Sequence, residues 1–305
     1  MKYGFVFSGQ GSQYLKMGYD LYTEYSFIRD LYNRASDILG YDIAKICFEE
    51  NDLLNQTIYT QPSMLLTEIA IYEVLKKFYD LNPSVMAGFS LGEYGALYAS
   101  GVFNFDEIIS LINIRSRAMQ DDSQKVPGMM AAVLGLDKDV VSHICSSIED
   151  LYVANYNTIN QVVISGKVES VLIGMEILKA NGARRILPLN VSGAFHTKFM
   201  KNASEEVYAY LQNIEPKQNK VDVLLNVNSE LLDIKTIKEA MRDQITHPVL
   251  FEHIIYKLVN EYKIDCVIEI GPGTVLTNLI KKVNSEIKLI NLDKLTDFSK
   301  LHMEE

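Results

Sequence analysis

Gly88-Phe89-Ser90-Leu91-Gly92 sets a serine between two glycines in the G-x-S-x-G pattern. The run Ser84 to Gly88 before it reads as a strand, and Glu93 to Ser100 after it reads as a helix. A serine on such a sharp strand-to-helix turn holds its hydroxyl exposed at the helix N-terminus, while the glycines relieve the crowding a side chain would cause. Ser90 is therefore a candidate nucleophile, and a hydroxyl attacks only when a base takes its proton. The chain has five histidines. His143 falls in a predicted helix and His302 in the last residues, while His247 and His253 flank Pro-Val-Leu-Phe and fit core or surface equally. His196 sits in Ser192-Gly-Ala-Phe-His-Thr197, a glycine-marked loop that could return to a cleft. A second glycine loop, Gly9-Gln10-Gly11-Ser12-Gln13, could supply half of an oxyanion hole from its backbone, with the Leu91 N–H as the other half. A phosphate cradle or a plain turn fits that loop as well.

Strands are predicted at Tyr3 to Phe7, Ser84 to Gly88, Val223 to Val227, Cys266 to Ile270 and Ile287 to Leu292, with helical periodicity between several of them. That alternation predicts a mostly parallel α/β sheet. Between Met129 and Leu187 the rhythm changes to strand (Met129 to Leu134), helix (Asp137 to Ser147), strand (Leu151 to Asn155), strand (Gln161 to Ser165), helix (Val168 to Asn181) and strand (Arg184 to Leu187). This is the βαββαβ order of a ferredoxin-like unit. The expected layout is a discontinuous large domain, residues 1–125 and 191–305, interrupted by a small α+β subdomain at 126–190, with the active site in the cleft between them.

The bulk numbers bound the function. A chain of 305 residues, 48% of them hydrophobic, can bury one sizeable core plus a smaller one. Apolar runs such as Val102-Phe103 and Leu224-Leu225 stop far short of the roughly 20 residues that span a bilayer. The N-terminus enters a strand pattern without a secretory signal, so a cytoplasmic location is expected. Cys47, Cys145 and Cys266 are too few and too scattered for a disulfide framework or zinc site, and are expected to be buried thiols. With 29 Lys and Arg against 39 Asp and Glu, the net charge of −10 argues against nucleic-acid or membrane-surface binding. Asp297 to Glu305 lack periodicity and are expected to form a loose tail.

Together these motifs resemble a known family, the malonyl-CoA:acyl carrier protein transacylases and the related acyltransferase domains of polyketide synthases. The resemblance runs through Phe7-Ser-Gly-Gln-Gly-Ser-Gln13, Thr60-Gln-Pro62, Gly88-Phe-Ser-Leu-Gly-Glu-Tyr94 and Arg115-Ser-Arg-Ala-Met-Gln120. It continues through Asn155-Tyr-Asn-Thr-Ile-Asn-Gln-Val-Val-Ile-Ser-Gly166, Gly193-Ala-Phe-His196, Gln244-Ile-Thr-His-Pro-Val249 and Glu269-Ile-Gly-Pro-Gly-Thr-Val-Leu276. It implies a hydrolase-like α/β domain with a ferredoxin-like insertion. It also implies Ser90 as nucleophile, His196 as general base, Gln10 and Leu91 as oxyanion-hole donors, and Gln244 orienting His196 through a carbonyl oxygen. Arg115 would bind the malonyl carboxylate, because its planar fork pairs with that group as it cannot with an acetyl. Gln61, Asn155 and Phe195 would line the substrate side, with the Phe195 ring leaving little room for an α-methyl branch. Glu93 and Tyr94 would support the turn.

The implied reaction is ping-pong transfer from malonyl-CoA, through a malonyl-serine ester, to the phosphopantetheine thiol of an acyl carrier protein, for fatty acid or polyketide synthesis and with no metal or bound cofactor. Two departures stand out: Phe89 occupies a position where the family usually has His, and Thr158-Ile159 follow Asn157 where Ser-Pro is frequent. They lean toward free-standing acyltransferases of polyketide assembly. Arg184 and Arg185 form a basic pair that could attract an acidic carrier. The rival readings are an acyl hydrolase that clears carrier proteins and a silent docking subunit.

Overall fold

The computed structural model describes residues 1–191 and 193–301. Its central sheet is parallel throughout, in the order β7 (Asp222–Leu224), β2 (Pro83–Gly88), β1 (Tyr3–Phe7), β8 (Cys266–Ile270), β9 (Lys288–Leu292). Nearly uninterrupted apolar runs such as Phe5-Val-Phe7 suit strands covered on both faces. Phe5 and Phe7 point into the larger core, and Val6 into a second core shared with Val85, Val267 and Leu276.

Three helices, α1 (Tyr19–Glu24), α2 (Ser26–Leu39) and α3 (Ile43–Phe48), precede α4 (Thr57–Phe78), which is buried on most of its circumference and carries Gln61 into the molecule. β2 leads through the Ser90 turn into α5 (Gly92–Ala99), then α6 (Phe105–Lys125). An N-terminal capping box fixes the start of α6: the Asn104 side chain accepts from the Glu107 N–H, and the Glu107 carboxylate accepts from the Asn104 N–H.

The second sheet is antiparallel, in the order β4 (Leu151–Thr158), β5 (Gln161–Lys167), β3 (Gly128–Leu134), β6 (Arg185–Pro188). With α7 (Lys138–Ser146) and α8 (Val168–Ala180) it gives the expected ferredoxin-like order. The two-residue period of the strands divides their side chains. Ala131, Val133, Val162 and Ile164 pack under α7 and α8, whereas Met130, Ala132, Ala154 and Val163 join the core of the large sheet. Pro127 and Gly193 form a β-bridge where the segment leaves and rejoins the chain. A second tie comes from Val249, whose N–H donates to Ala154 O (2.9 Å) and whose carbonyl accepts from the Tyr156 N–H (2.9 Å). After β6 come α9 (Lys201–Leu211), α10 (Ile237–Gln244), α11 (Phe251–Tyr256) and α12 (Val275–Val283).

Two expectations need correction. The strand predicted to run to Val227 ends at Leu224, because the Leu225 N–H turns to Glu230 O and Asn226 is drawn under the serine turn. The predicted loose tail is structured at its start: Leu295–Leu301 form a 3₁₀ helix, with Phe298 buried against Tyr79 at 5.5 Å between ring centroids. The rest of that tail, with His302, lies outside the described residues. Cys47, Cys145 and Cys266 are free and buried, and burial pushes their thiols up to about 12, 12 and 11. Among the described residues no helix is long and apolar enough to cross a membrane.

Candidate active site

Ser90 takes φ +53°, a left-handed conformation that costs a non-glycine residue about 1–3 kcal/mol and turns β2 sharply into α5. Both flanking glycines are required by close packing. A Cβ on Gly88 would lie 1.9 Å from the Gly92 carbonyl carbon, and one on Gly92 would lie 2.1 Å from Phe7 O. Helix α5 thus starts directly against the end of β1, and the serine is pushed out into the cleft.

His196 also has positive φ, +58°, in the loop that rejoins the large sheet. Its Nε2 lies 2.8 Å from Ser90 Oγ. Its Nδ1 faces two backbone carbonyls, Gln244 O at 2.9 Å and His247 O at 3.1 Å. Carbonyl oxygens only accept, so the proton belongs on Nδ1, which leaves the Nε2 lone pair aimed at the serine hydroxyl. Burial, followed by the positive charge of Arg115, lowers the His196 pKa to about 4, so the ring is a neutral acceptor at neutral pH. His247 and His253 expose their rings to solvent, as does His143. Among the described histidines it is His196 whose ring meets the serine.

Arg115 comes from α6 and is 1% exposed. One Nη2 donates to Ser90 Oγ at 3.2 Å and to Gln244 Oε1 at 3.4 Å, and the guanidinium lies 5.2 Å from the Tyr94 ring centroid. Its Nε has no partner, and among the described residues no carboxylate forms an ion pair with it. A buried cation with an unused donor, beside a candidate nucleophile, is suited to an anionic group brought in from outside.

The turn is braced from beneath. Gln244 donates from Nε2 to Ser90 O at 2.8 Å, and the Glu93 N–H donates to the same oxygen at 3.2 Å. Asn226 accepts the Ser90 N–H on Oδ1 at 2.7 Å. The Glu93 carboxylate, 1% exposed, accepts the Asn226 N–H at 2.5 Å, and burial raises its pKa to about 7. Among the described residues no hydrogen bond takes up the backbone N–H of Gln10 or of Leu91.

Above Ser90 a cavity of about 420 Å³ opens between the sheets, lined by every residue expected on the substrate side: Gln61, Arg115, Asn155, Phe195, together with Gln10 and His196. Gln61 Nε2 donates to Gln10 Oε1 at 3.3 Å, tying α4 to the first glycine loop. Phe89, the departure noted before the serine, lies at the cavity wall with its ring edge-on to Phe251 at 5.2 Å. Met130, Ala132 and Val163 of the second sheet supply the apolar roof. Arg184 and Arg185 are exposed and do not line the cavity; Arg185 pairs with Leu134, at the end of β3 away from Met130. Among the described residues no three His, Cys, Asp or Glu side chains are grouped to hold a metal ion.

Sequence reasoning missed Asn226 and the His247 carbonyl. Asn226 had a signal, a carboxamide within the apolar run Val223-Leu-Leu-Asn-Val227. The His247 carbonyl had none, because any residue supplies one.

The acyl transferase domain family model matches residues 4–295 of this chain. The malonyl CoA-acyl carrier protein transacylase of Bacillus subtilis is 37% identical over 295 residues, covering 95% of this chain and 92% of that protein. The enzyme of the same name from Haemophilus influenzae is 36% identical over 304 residues, 98% of this chain and 97% of its own. The MCAT crystal structure from Streptococcus pneumoniae superposes with a TM-score of 0.94 at 36% identity over the whole of both chains. A malonyl-transacylase solved with its type II PKS acyl-carrier protein gives 0.95 at 32% identity, again over the whole of both chains. The serine turn, the histidine that meets it and the two-sheet fold that unites them therefore sit in a chain that belongs to the acyl transferase domain family, among the malonyl CoA-acyl carrier protein transacylases.

Proposed function

We propose that this enzyme transfers a malonyl group from malonyl-CoA to the phosphopantetheine thiol of an acyl carrier protein, for fatty acid or polyketide synthesis. The observation that carries the reading is Arg115, a buried guanidinium that among the described residues forms no ion pair with a carboxylate and that reaches the nucleophilic oxygen. In the first half-reaction His196 Nε2 takes the Ser90 proton as Oγ attacks the thioester carbonyl, and the oxyanion rests on the N–H groups of Gln10 and Leu91. Collapse expels CoA thiolate, which takes the proton back from His196 and leaves a malonyl-serine ester. The carrier thiol then gives its proton to His196 and attacks the ester, and on collapse His196 passes that proton to Ser90 Oγ as the serine leaves. Each step uses this chain's own groups and no resident cofactor. Arg115 would hold the malonyl carboxylate, Gln61 and Asn155 the polar wall, and Phe195 the space beside the α-carbon.

The same reading treats 1–125 with 191–305 as the catalytic domain and 126–190 as a subdomain that roofs the cavity. It assigns the enzyme to the cytoplasm, where buried thiols stay reduced. A carrier protein as acceptor is supported by the relative solved with its acyl-carrier protein. The test is intact mass after brief exposure to malonyl-CoA and acetyl-CoA in competition, followed by a chase with carrier protein or water. Preferential loading of malonyl and discharge onto the carrier are expected. Equal loading of acetyl would reject malonyl as the selected group, and discharge to water alone would reject the transfer in favour of an acyl hydrolase.

A further inference from the structure

We infer that Asn226 is a positioning residue for acyl transfer, holding the Ser90 peptide so that the Leu91 N–H, and not the Ser90 N–H, is presented to the oxyanion. This rests on the reading of Ser90 as nucleophile. Asn226 is fully buried and is absent from the cavity wall, so it acts only through the turn. Its carboxamide bridges the turn, taking the Ser90 N–H on Oδ1 at 2.7 Å and donating from Nδ2 to Gly88 O at 2.7 Å. Its own backbone is fixed at both ends: the N–H donates to Glu93, and the carbonyl accepts from the Leu250 N–H at 3.0 Å.

The consequence follows from peptide planarity. Ser90 N–H belongs to the peptide unit before Cα, which Asn226 pins. Ser90 C=O belongs to the unit after it, which Gln244 Nε2 pins. In a trans peptide the carbonyl and the N–H point in opposite directions, so a carbonyl drawn toward Gln244 sends the Leu91 N–H the other way. The left-handed φ of Ser90 relates the two planes, and both must be held for that φ to persist. A hydrophobic residue in place of Asn226 would leave two buried backbone groups unmatched; only a side chain with one acceptor and one donor in a plane answers both.

Asn226→Asp is the discriminating substitution, because it keeps size and the acceptor but loses the donor to Gly88 O while ionised. Among the described residues the ionisable side chain hydrogen-bonded to this position is Glu93; Arg115 and His196 meet Ser90 through its Oγ. Burial and Glu93 both raise the pKa of the introduced carboxyl, and once protonated it can donate to Gly88 O again. Single-turnover acylation by malonyl-CoA should therefore fall by about 10–100-fold at pH 8 with half-saturating substrate little changed, and should recover as pH is lowered toward 6. His196 stays neutral in that window, whereas Glu93 titrates within it in both proteins, so the recovery is read as the variant-to-wild-type ratio at each pH. A wild-type rate at pH 8, or a deficit equal at both pH values, overturns the inference. Should the variant fail to fold, residue-resolved amide exchange in the wild-type enzyme decides: slow exchange of the Ser90 amide supports it, and exchange as fast as an exposed amide overturns it. Ser90→Ala separates the two readings, since a malonyl adduct persisting there rejects the nucleophile, whereas its absence beside a normally reacting Asn226→Asp rejects only the role of Asn226.

Discussion

Ser90 Oγ is shared between a neutral imidazole and a guanidinium, and the two neighbours do different work. In the proposed reaction His196 would remove a proton, whereas Arg115 would supply a charge that a malonyl carboxylate matches and an acetyl does not. Arg115→Ala should lower kcat/KM for malonyl-CoA by roughly 30-fold or more, the order of a lost buried charge pair, with acetyl-CoA loading level or raised. Arg115→Lys should rescue only in part, because an ammonium lacks the two parallel hydrogen bonds. Equal losses for both substrates would return Arg115 to a structural role. The acid limb of acylation belongs to the same pair. His196 loses base function as pH falls through its pKa, so the wild-type rate should hold until about pH 4. Arg115→Ala removes one of the causes that depress that pKa, and the limb should move upward toward ordinary histidine values. Single-turnover rates across pH check this, and an unmoved limb would remove Arg115 from the electrostatics of the base.

At the scale of elements, the turn between β2 and α5 is held from two sides. Gly92→Ala would drive a methyl into Phe7 O and Ser8 O, which are backbone atoms that cannot swing aside. A stability loss of about 1–3 kcal/mol or more is expected from such overpacking, together with slower acylation, and denaturant midpoints measure it. Beneath the turn, burial raises the Glu93 pKa from the ordinary 4.5 to about 7 in the folded chain. Between those values the folded chain keeps a proton that the unfolded chain has released. Its contribution to stability is therefore largest below about pH 4.5, declines as pH rises toward 7 and is level above, with a slope of up to about 1.4 kcal/mol per pH unit. Glu93→Gln should flatten stability over this range. An unchanged difference between pH 5 and pH 8 in urea titrations would contradict the raised pKa.

Over the whole molecule, the cavity exists only because the second sheet is set over the first. Besides the Val249 backbone bonds, α7 is joined to α11 by Lys138 Nζ, which lies 2.9 Å from both carboxylate oxygens of Glu252. Those side chains are 23% and 18% exposed, so the pair is less screened than a surface ion pair. A double-mutant cycle with Lys138→Ala and Glu252→Ala should give a coupling of about 1 kcal/mol that shrinks with salt. Zero coupling would mean that this ion pair contributes nothing to the orientation of the roof.

The serine between its glycines, the βαββαβ rhythm and the apolar strand runs are local patterns, and periodicity read from the chain located nearly every strand within a residue or two. His196 was different: residue type left it among five histidines until the resemblance of the whole chain to a family singled it out. The sequence also carried Arg115 only as one of two neighbouring arginines on a helix; burial at 1% beside Ser90 separates it from the exposed Arg117. The tertiary structure alone decided which nitrogen of His196 faces the serine, because that depends on carbonyls from Gln244 and His247, some 50 residues away, and carbonyls have no residue type. It alone drew Asn226 out of the predicted strand, since hydrogen bonds to Gly88 and Ser90 across a span of 136 residues or more outweigh one more rung of the β7 ladder. Local pattern fixes which elements form; which polar groups meet in the space between them is a property of their packing.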